Sequence, residues 1–505
     1  MIKTMVDIER DGSRAPRGPG ADAVESLGAI PAGAFVDGSW VPVTGPARDV
    51  IDPADGTTIA TLRDATVETV DAAVRSARRA FEPWWELPTS DRSQVLERIA
   101  DAIDAAGPRL TLLESVDTGK PLSQARSDVA TAARYFRFYA HAAQHLFGDV
   151  IPMGSRVLAR TEPEPYGVVA HITPWNSPLS QLSRGVAPSL AVGNTVVIKP
   201  SELAPLSSLA FAELVGGIVP AGVVDVVPGD GITAGAALAG HPGIDHLTFT
   251  GSVATGIAVS VAAARNVVAT NLELGGKSAA LVFPDADLGE AARFAAAAIM
   301  RNSGQSCSAL TRFVVHESVR ERFVELLVDR VSRLRVGVGR DDPDLGPIVS
   351  ARQRDRVFGL IEQAADQGGD IRIGGAFAPE EWKDSAGFFA SPTVVAGVRP
   401  DSVLATTEVF GPVQTVIDFA DESEAVEIAN GTPYGLTAAV FTADLRTAER
   451  VARRIRAGQV QINGFNGAAV EVPFGGYRHS GHGREKGFAA LLGYTQVKAV
   501  VTHLG

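Results

Sequence analysis

Apolar residues recur at three- and four-residue spacing over 67–81, 90–106 and 108–118, and again over 123–146, which predicts four helices near the start of the chain. Ahead of them, Phe35-Val36-Asp37-Gly38-Ser39-Trp40 reads as a hairpin with an Asp-Gly turn, and 51–56 as a second turn leading into 58–60. At Gly167 the rhythm changes. Short, nearly all-apolar runs at 168–172, 195–198, 223–227 and 246–249 alternate with helical segments, the pattern of a parallel sheet covered on both faces. A second series at 279–283, 312–316, 413–419, 436–441 and 459–462 predicts another α/β unit. Such sheets bind ligands beyond the carboxyl ends of their strands. Lys199, Gly229 and Thr250, expected just past such ends, therefore mark a cofactor edge. The stretch 229–235 approaches a dinucleotide fingerprint but is one residue too long and follows the third strand, so it carries little weight alone. The extended stretches 149–164 and 494–501 hold few core residues of their own, and strand edges of that kind need cover.

Composition narrows the class. At 505 residues, with 45% apolar and 21% charged, two or three domains of an ordinary soluble protein are expected. Apolar runs are broken before the ~18 residues a spanning helix requires, and residues 1–14 lack the apolar core of a signal peptide, so a cytoplasmic home is expected. The net charge of −12, from 46 basic and 58 acidic residues, argues against nucleic-acid or anionic-membrane partners. Small molecules and copies of the same chain remain. Residues 1–31 mix Asp, Arg, Gly and Pro without periodicity and read as a mobile tail.

The chemistry centres on Cys307, the only cysteine, set in Ser303-Gly304-Gln305-Ser306-Cys307-Ser308 after an alanine-rich helical segment. A lone cysteine is commonly inert and buried. This one sits among small polar residues instead, where a thiol is reachable. Two further stretches add a base and a donor. Glu273 lies in an apolar run before paired glycines, and Asn176 lies where a strand gives way to a helix. Ser177 and Pro178 already suit that helix's cap and first turn, which leaves Asn176 for other work.

Seven motifs in order, PWN (174–176), KPSE (199–202), FTGS (249–252), ELGGK (273–277), GQSC (304–307), EVFGP (408–412) and PFGG (473–476), make a pattern that resembles the NAD(P)-dependent aldehyde dehydrogenase superfamily. The resemblance implies an α/β fold with a Rossmann-type parallel-sheet cofactor domain (32–148 and 166–275) and a second α/β catalytic domain (276–476). A small β bridging or oligomerisation sheet (149–165 and 486–505) would complete a homodimer or homotetramer. It further implies Cys307 as nucleophile, Asn176 and the Cys307 N–H as oxyanion donors, and Glu273 as the base that activates the hydrolytic water. For NAD it implies Ile172, Thr173 and Trp175 along the cofactor path, with Gly229, Thr250, Gly251, Ser252 and Leu274 nearby. Glu408 and Phe410 would meet the nicotinamide ribose and ring, and Lys199 and Glu202 the adenine ribose. A carboxylate there repels a 2′-phosphate, which favours NAD over NADP. No metal is implied.

The sequence departs from the family pattern nine residues after the asparagine, where a lysine is frequent and Gly185 stands here. Glu485 survives as a possible second member of a proton relay. Arg184 follows Ser177 by seven residues, about two turns or ~10 Å along one helix face. With Ser306, Ser308 and Phe474 it would line a polar, basic funnel selecting substrates that carry a carboxylate, such as a semialdehyde acid. The alternative is an arginine paired internally for structure. Other functional readings are a CoA-acylating relative, which generally lacks the glutamate base, and a non-catalytic binding protein on the same fold. A cysteine hydrolase would bring a histidine to the thiol, and no motif invites one.

Overall fold

The computed structural model describes residues 30–465 and 469–504, so all but the last two residues of the expected tail lie outside them. Five strands, Val168–Ile172, Thr195–Lys199, Val224–Val226, His246–Thr250 and Ala269–Glu273, run parallel in one sheet. Period-two alternation sends their side chains into two cores. Val169, Val196, Ile198 and Val224 pack on one face, and Val168, Ala170, Val197, Leu247 and Leu272 on the other. Each such Val, Ile or Leu side chain fully buried is worth about 1.5–3 kcal/mol, which explains why both faces of the strands are apolar. In space the order is Ala269–Glu273, His246–Thr250, Val168–Ile172, Thr195–Lys199, Val224–Val226. The connections therefore reverse direction between Val168–Ile172 and His246–Thr250, where such sheets hold ligands.

The predicted hairpin, Ala34–Val36 and Ser39–Val41, adds to this sheet antiparallel through Phe35 opposite Val226. Asp37 and Gly38 both take positive φ (54° and 72°), as its two-residue turn requires. Two details differ from expectation. Lys199 and Thr250 are the last residues of their strands, not the residues beyond them. The strand Ala269–Glu273 is missing from the predicted series because Ala269 is exposed and Thr270 partly so, while the short edge strand Gly481–His482 pairs only with Leu272 and Glu273, so the strand's amino half lacks the apolar signature.

The second sheet contains Ser278–Val282, Leu310–His316, Val413–Phe419, Thr437–Phe441 and Gln459–Ile462, the five predicted strands within three residues at each end. Two further strands, Thr393–Ala396 and the antiparallel edge Asp370–Ile373, extend it. A third, three-stranded sheet pairs Thr495–His503 with Val157–Pro165, and that with Val150–Pro152. The helices Val67–Trp85, Thr89–Ala105, Gly107–Thr118 and Leu122–Ala142 match the periodic stretches, except that the last is α-helical only to Ala142. Among the described residues no helix is long and apolar enough to cross a membrane.

Candidate active site

The helix Leu288–Met300 ends in a tight reversal in which Asn302, Ser303 and Gly304 all have positive φ (48°, 54° and 72°). Three successive left-handed residues are costly unless the surroundings enforce them. Here they do. Asn302 N–H donates to Gln124 Oε1 (2.7 Å), its Nδ2 donates to the Asn176 carbonyl (2.8 Å), and Ser303 Oγ donates to the Gly346 carbonyl (2.7 Å). Gly304 is obligatory, since a Cβ there would lie 2.0 Å from the Gly411 carbonyl oxygen. The half-buried Cys307 follows this pinned loop, flanked by Ser306 and Ser308, whose hydroxyls lie 3.3 Å apart. Burial pushes its thiol up to about 11, an effect the Arg184 charge partly opposes.

Asn176 reaches the same loop from the first sheet. It follows the strand Val168–Ile172, is buried, and its Nδ2 donates to the Gln305 carbonyl at 3.1 Å. The amide is thus already engaged two residues before Cys307, with one N–H left over. Ser177 takes the cap position of the helix Pro178–Val192 but makes no capping hydrogen bond; the Leu179 N–H goes to the buried Glu114 carboxylate instead (2.8 Å). Beneath lies a residue that the sequence did not flag. Lys120, in the turn after Gly107–Thr118, is covered by Gly339 and Gly346, whose Cβ positions would collide with the backbone of Gly119 and Lys120. Its Nζ bonds Asp128 (2.6 Å) and the Asn176 carbonyl (2.9 Å) and lies 3.5 Å from Glu114. Burial acts to raise the Asp128 carboxyl, but Lys120 and Arg301 bring it below its ordinary value.

Glu273 closes its strand, with Gly251 N–H donating to its carbonyl at 3.0 Å. Its side chain is 2% exposed, and neither carboxylate oxygen has a hydrogen-bond partner among the described residues. Burial, then the Glu485 charge, raises it well above the usual carboxylate range. Glu485 and Phe474 exchange backbone hydrogen bonds of 2.7 Å, which fixes Glu485 beside the site. Arg184 forms a buried ion pair with Glu485, Nε to Oε2. The structure thus gives this arginine an internal carboxylate, contrary to the expectation of a charge left open to substrate. Phe474 likewise lies buried, with the Arg184 guanidinium and the Lys486 ammonium 5.3 Å and 5.1 Å from its ring. Gly185 is closed to any side chain: a Cβ there would meet His171 Nδ1 at 2.8 Å and Tyr494 OH at 3.2 Å.

The expected cofactor residues line the carboxyl edge of the first sheet. Ile172 and Thr173 are buried, and Thr173 Oγ1 has no partner among the described residues. Lys199 Nζ donates to the Pro200 carbonyl (2.7 Å) and lies 3.7 Å from the Glu202 carboxylate; burial lowers it, and Glu202 partly restores it. Ser252 is the exposed cap of the helix Val253–Ala264, accepting from Thr255 N–H at 3.2 Å. Gly229 (φ 154°) packs on the following turn, where a Cβ would sit 2.8 Å from Ala234 Cβ. Leu274 follows the strand end at Glu273 and packs, buried, on Gly256 of the helix Val253–Ala264. Glu408 accepts the Gly276 N–H (2.9 Å), and burial pushes it up to about 7. Trp175 meets Phe410 edge to face at 5.3 Å.

Residues 40–500 match the profile of the Aldehyde dehydrogenase family. An aldehyde dehydrogenase of Emericella nidulans is 40% identical over 480 residues, covering 94% of this chain and 96% of the relative. Aldehyde dehydrogenase family 2 member B4, mitochondrial, of Arabidopsis thaliana is 40% identical over 94% of this chain and 87% of its own. The crystal structure of betaine aldehyde dehydrogenase from Staphylococcus aureus in complex with NAD+ superposes with a TM-score of 0.93 at 35% identity, over 96% of this chain and 97% of that one.

Proposed function

The chain belongs to the aldehyde dehydrogenase family, and from that premise we propose that it oxidises an aldehyde to the carboxylic acid with NAD, through a thiohemiacetal and then a thioester on Cys307. One observation carries the reading: a buried carboxylate without hydrogen-bond partners among the described residues, Glu273, within electrostatic reach of the one thiol. Burial holds Cys307 as the thiol, so its proton must pass to water as sulfur attacks the carbonyl carbon, which leaves the Glu273 carboxylate free for the hydrolytic step. The remaining Asn176 N–H and the Cys307 N–H serve the oxyanion; losing one such donor typically costs about 100- to 1000-fold. Glu273 then draws a proton from water as the water oxygen bonds the thioester carbon and the carbon–sulfur bond breaks.

The carboxyl edge fits a dinucleotide. The orphaned Thr173 hydroxyl and the start of the helix Val253–Ala264 offer donors, and Glu202 with Lys199 suits two ribose hydroxyls. When bound, the cofactor supplies the hydride acceptor. Glu202 disfavours a 2′-phosphate, which supports NAD over NADP. A CoA-acylating reaction is the weaker reading because it leaves Glu273 without a task. A cytoplasmic setting suits a lone reduced thiol. The exposed Val150, Ile151, Leu158, Val497 and Val501 on the three-stranded sheet, with Met153 just beyond its short strand, support burial against another copy, as a homodimer or a tetramer of dimers.

Glu273→Gln tests the reading. Hydride transfer should persist and hydrolysis stall, giving a burst of about one NADH per active site followed by a steady rate on the order of 100-fold or more below wild type. Normal steady turnover without a burst removes Glu273 from this role.

A further inference from the structure

We propose that the buried Arg184–Glu485 ion pair is the positioning device for the hydrolytic base, fixing the charge that Glu273 faces and so the pH at which acyl transfer to water runs. The inference rests on Glu273 as the base, the reading given above.

Three side chains from three distant parts of the sequence meet here: Glu273 Oε1 borders Gly475, where a Cβ would lie 2.9 Å from it and 3.1 Å from Arg484 Cδ, and Gly475 and Arg484 adjoin Phe474 and Glu485 in the chain. Arg184 comes from the helix Pro178–Val192, Glu485 from the stretch paired with Phe474, and Glu273 from its strand end; each is 5% exposed or less. Arg184 is held twice, by the ion pair and by the Phe474 ring. It cannot swing toward a substrate without leaving Glu485 as a buried unpaired charge, a strongly unfavourable state. Glu485 in turn is fixed through its backbone. Arg184 and Glu485 face each other as an ion pair, whereas neither Glu273 oxygen has a hydrogen-bond or ion-pair partner among the described residues, so the cluster holds one cation, one matched anion and one carboxyl whose proton is not committed.

The charges facing Glu273 come from every side of it. Glu485 raises it, and Arg184, Arg484 and Lys486 lower it, with burial the largest influence. Arg184 also faces Tyr135 and Cys307, while Tyr139 and Tyr494 feel Glu485 and Arg184. The two members of the pair therefore act on Glu273 with opposite signs. Removing the Glu485 charge favours ionised Glu273, so the hydrolytic rate should reach its plateau at lower pH. Removing the Arg184 charge leaves two carboxyls competing for one proton, so the plateau should move to higher pH. A scaffold role alone would not produce opposite displacements.

The test follows decay of the acyl adduct on Cys307 by intact-protein mass spectrometry across pH, in the full-length enzyme loaded with aldehyde and NAD. Glu485→Gln should displace the pH limb of adduct decay toward acid, and Arg184→Met toward alkali, each on the order of one pH unit. Arg184→Lys should restore most of the wild-type limb. Should Arg184→Met fail to fold, the paired Arg184→Met/Glu485→Gln variant, which leaves no buried charge unmatched, should return the limb close to wild type. Limbs that stay put, or move in the same direction in Glu485→Gln and Arg184→Met, overturn the proposal. So does an Arg184→Met enzyme with an unmoved limb that loses preference for a semialdehyde acid over its uncharged analogue. Failure of the base assignment itself is read separately, from the Glu273→Gln burst.

Discussion

Two buried clusters flank the site, each made of one cation and two carboxylates, and they differ in what their hydrogen bonds leave undone. Around Lys120 the groups are largely satisfied. Its ammonium reaches Asp128, the Asn176 carbonyl and, at 3.4 Å, Ser177 Oγ, while Glu114 Oε1 accepts from Leu179 N–H and from Ser207 Oγ (2.5 Å). Around Arg184 the ion pair with Glu485 is closed, yet Glu273 has no hydrogen-bond partner among the described residues. The first arrangement holds a backbone in place. The second keeps a proton available. Composition alone would call them equivalent; the count of unmet acceptors separates scaffold from chemistry.

The thiol that feels the second cluster gives the largest expected effect. Cys307→Ala should reduce aldehyde-dependent NADH formation by more than ~1000-fold while leaving NAD affinity, measured by calorimetry, close to wild type. Residual turnover of a few per cent would break the distinction at its centre. Next comes Lys120→Met. Stripping the cation from two buried carboxylates should cost about 3–5 kcal/mol in denaturant unfolding. It should also weaken the Asn176 position, and unchanged stability would mean the first cluster is no scaffold. The smallest effect is expected at Ser177→Ala. An N-cap serine is usually worth ~0.5–2 kcal/mol. Here Glu114 holds the helix N–H, so the loss should stay below about 1 kcal/mol, and a larger one would show that Ser177 belongs to the Lys120 network more tightly than its 3.4 Å contact implies.

Strands whose two faces are both covered announce themselves, and 168–172, 195–199 and 413–419 were legible for that reason. Asp370–Ile373 was not, because an exposed edge strand has no such pattern. Cys307, Asn176 and Glu273 stood out through their local settings. Lys120 did not, since a Gly-Lys-Pro turn looks like a solvated loop until Gly339 and Gly346 are seen to cover it. The partner of Arg184 was hidden for a different reason. Helical spacing fixes which face a side chain takes, not which distant carboxylate arrives there. Gly185 was legible only as a departure, and the His171 and Tyr494 contacts supply its cause.

The reversal at Asn302, Ser303 and Gly304 has a consequence for handling the protein. Its hydrogen bonds come from Gln124, Asn176 and Gly346, so the loop acquires its shape only after segments far apart in sequence have met. With a single cysteine in the chain, the rate of alkylation by a bulky maleimide is then a built-in reporter of assembly: an unfolded chain labels as a free peptide thiol does, and the assembled one labels slowly.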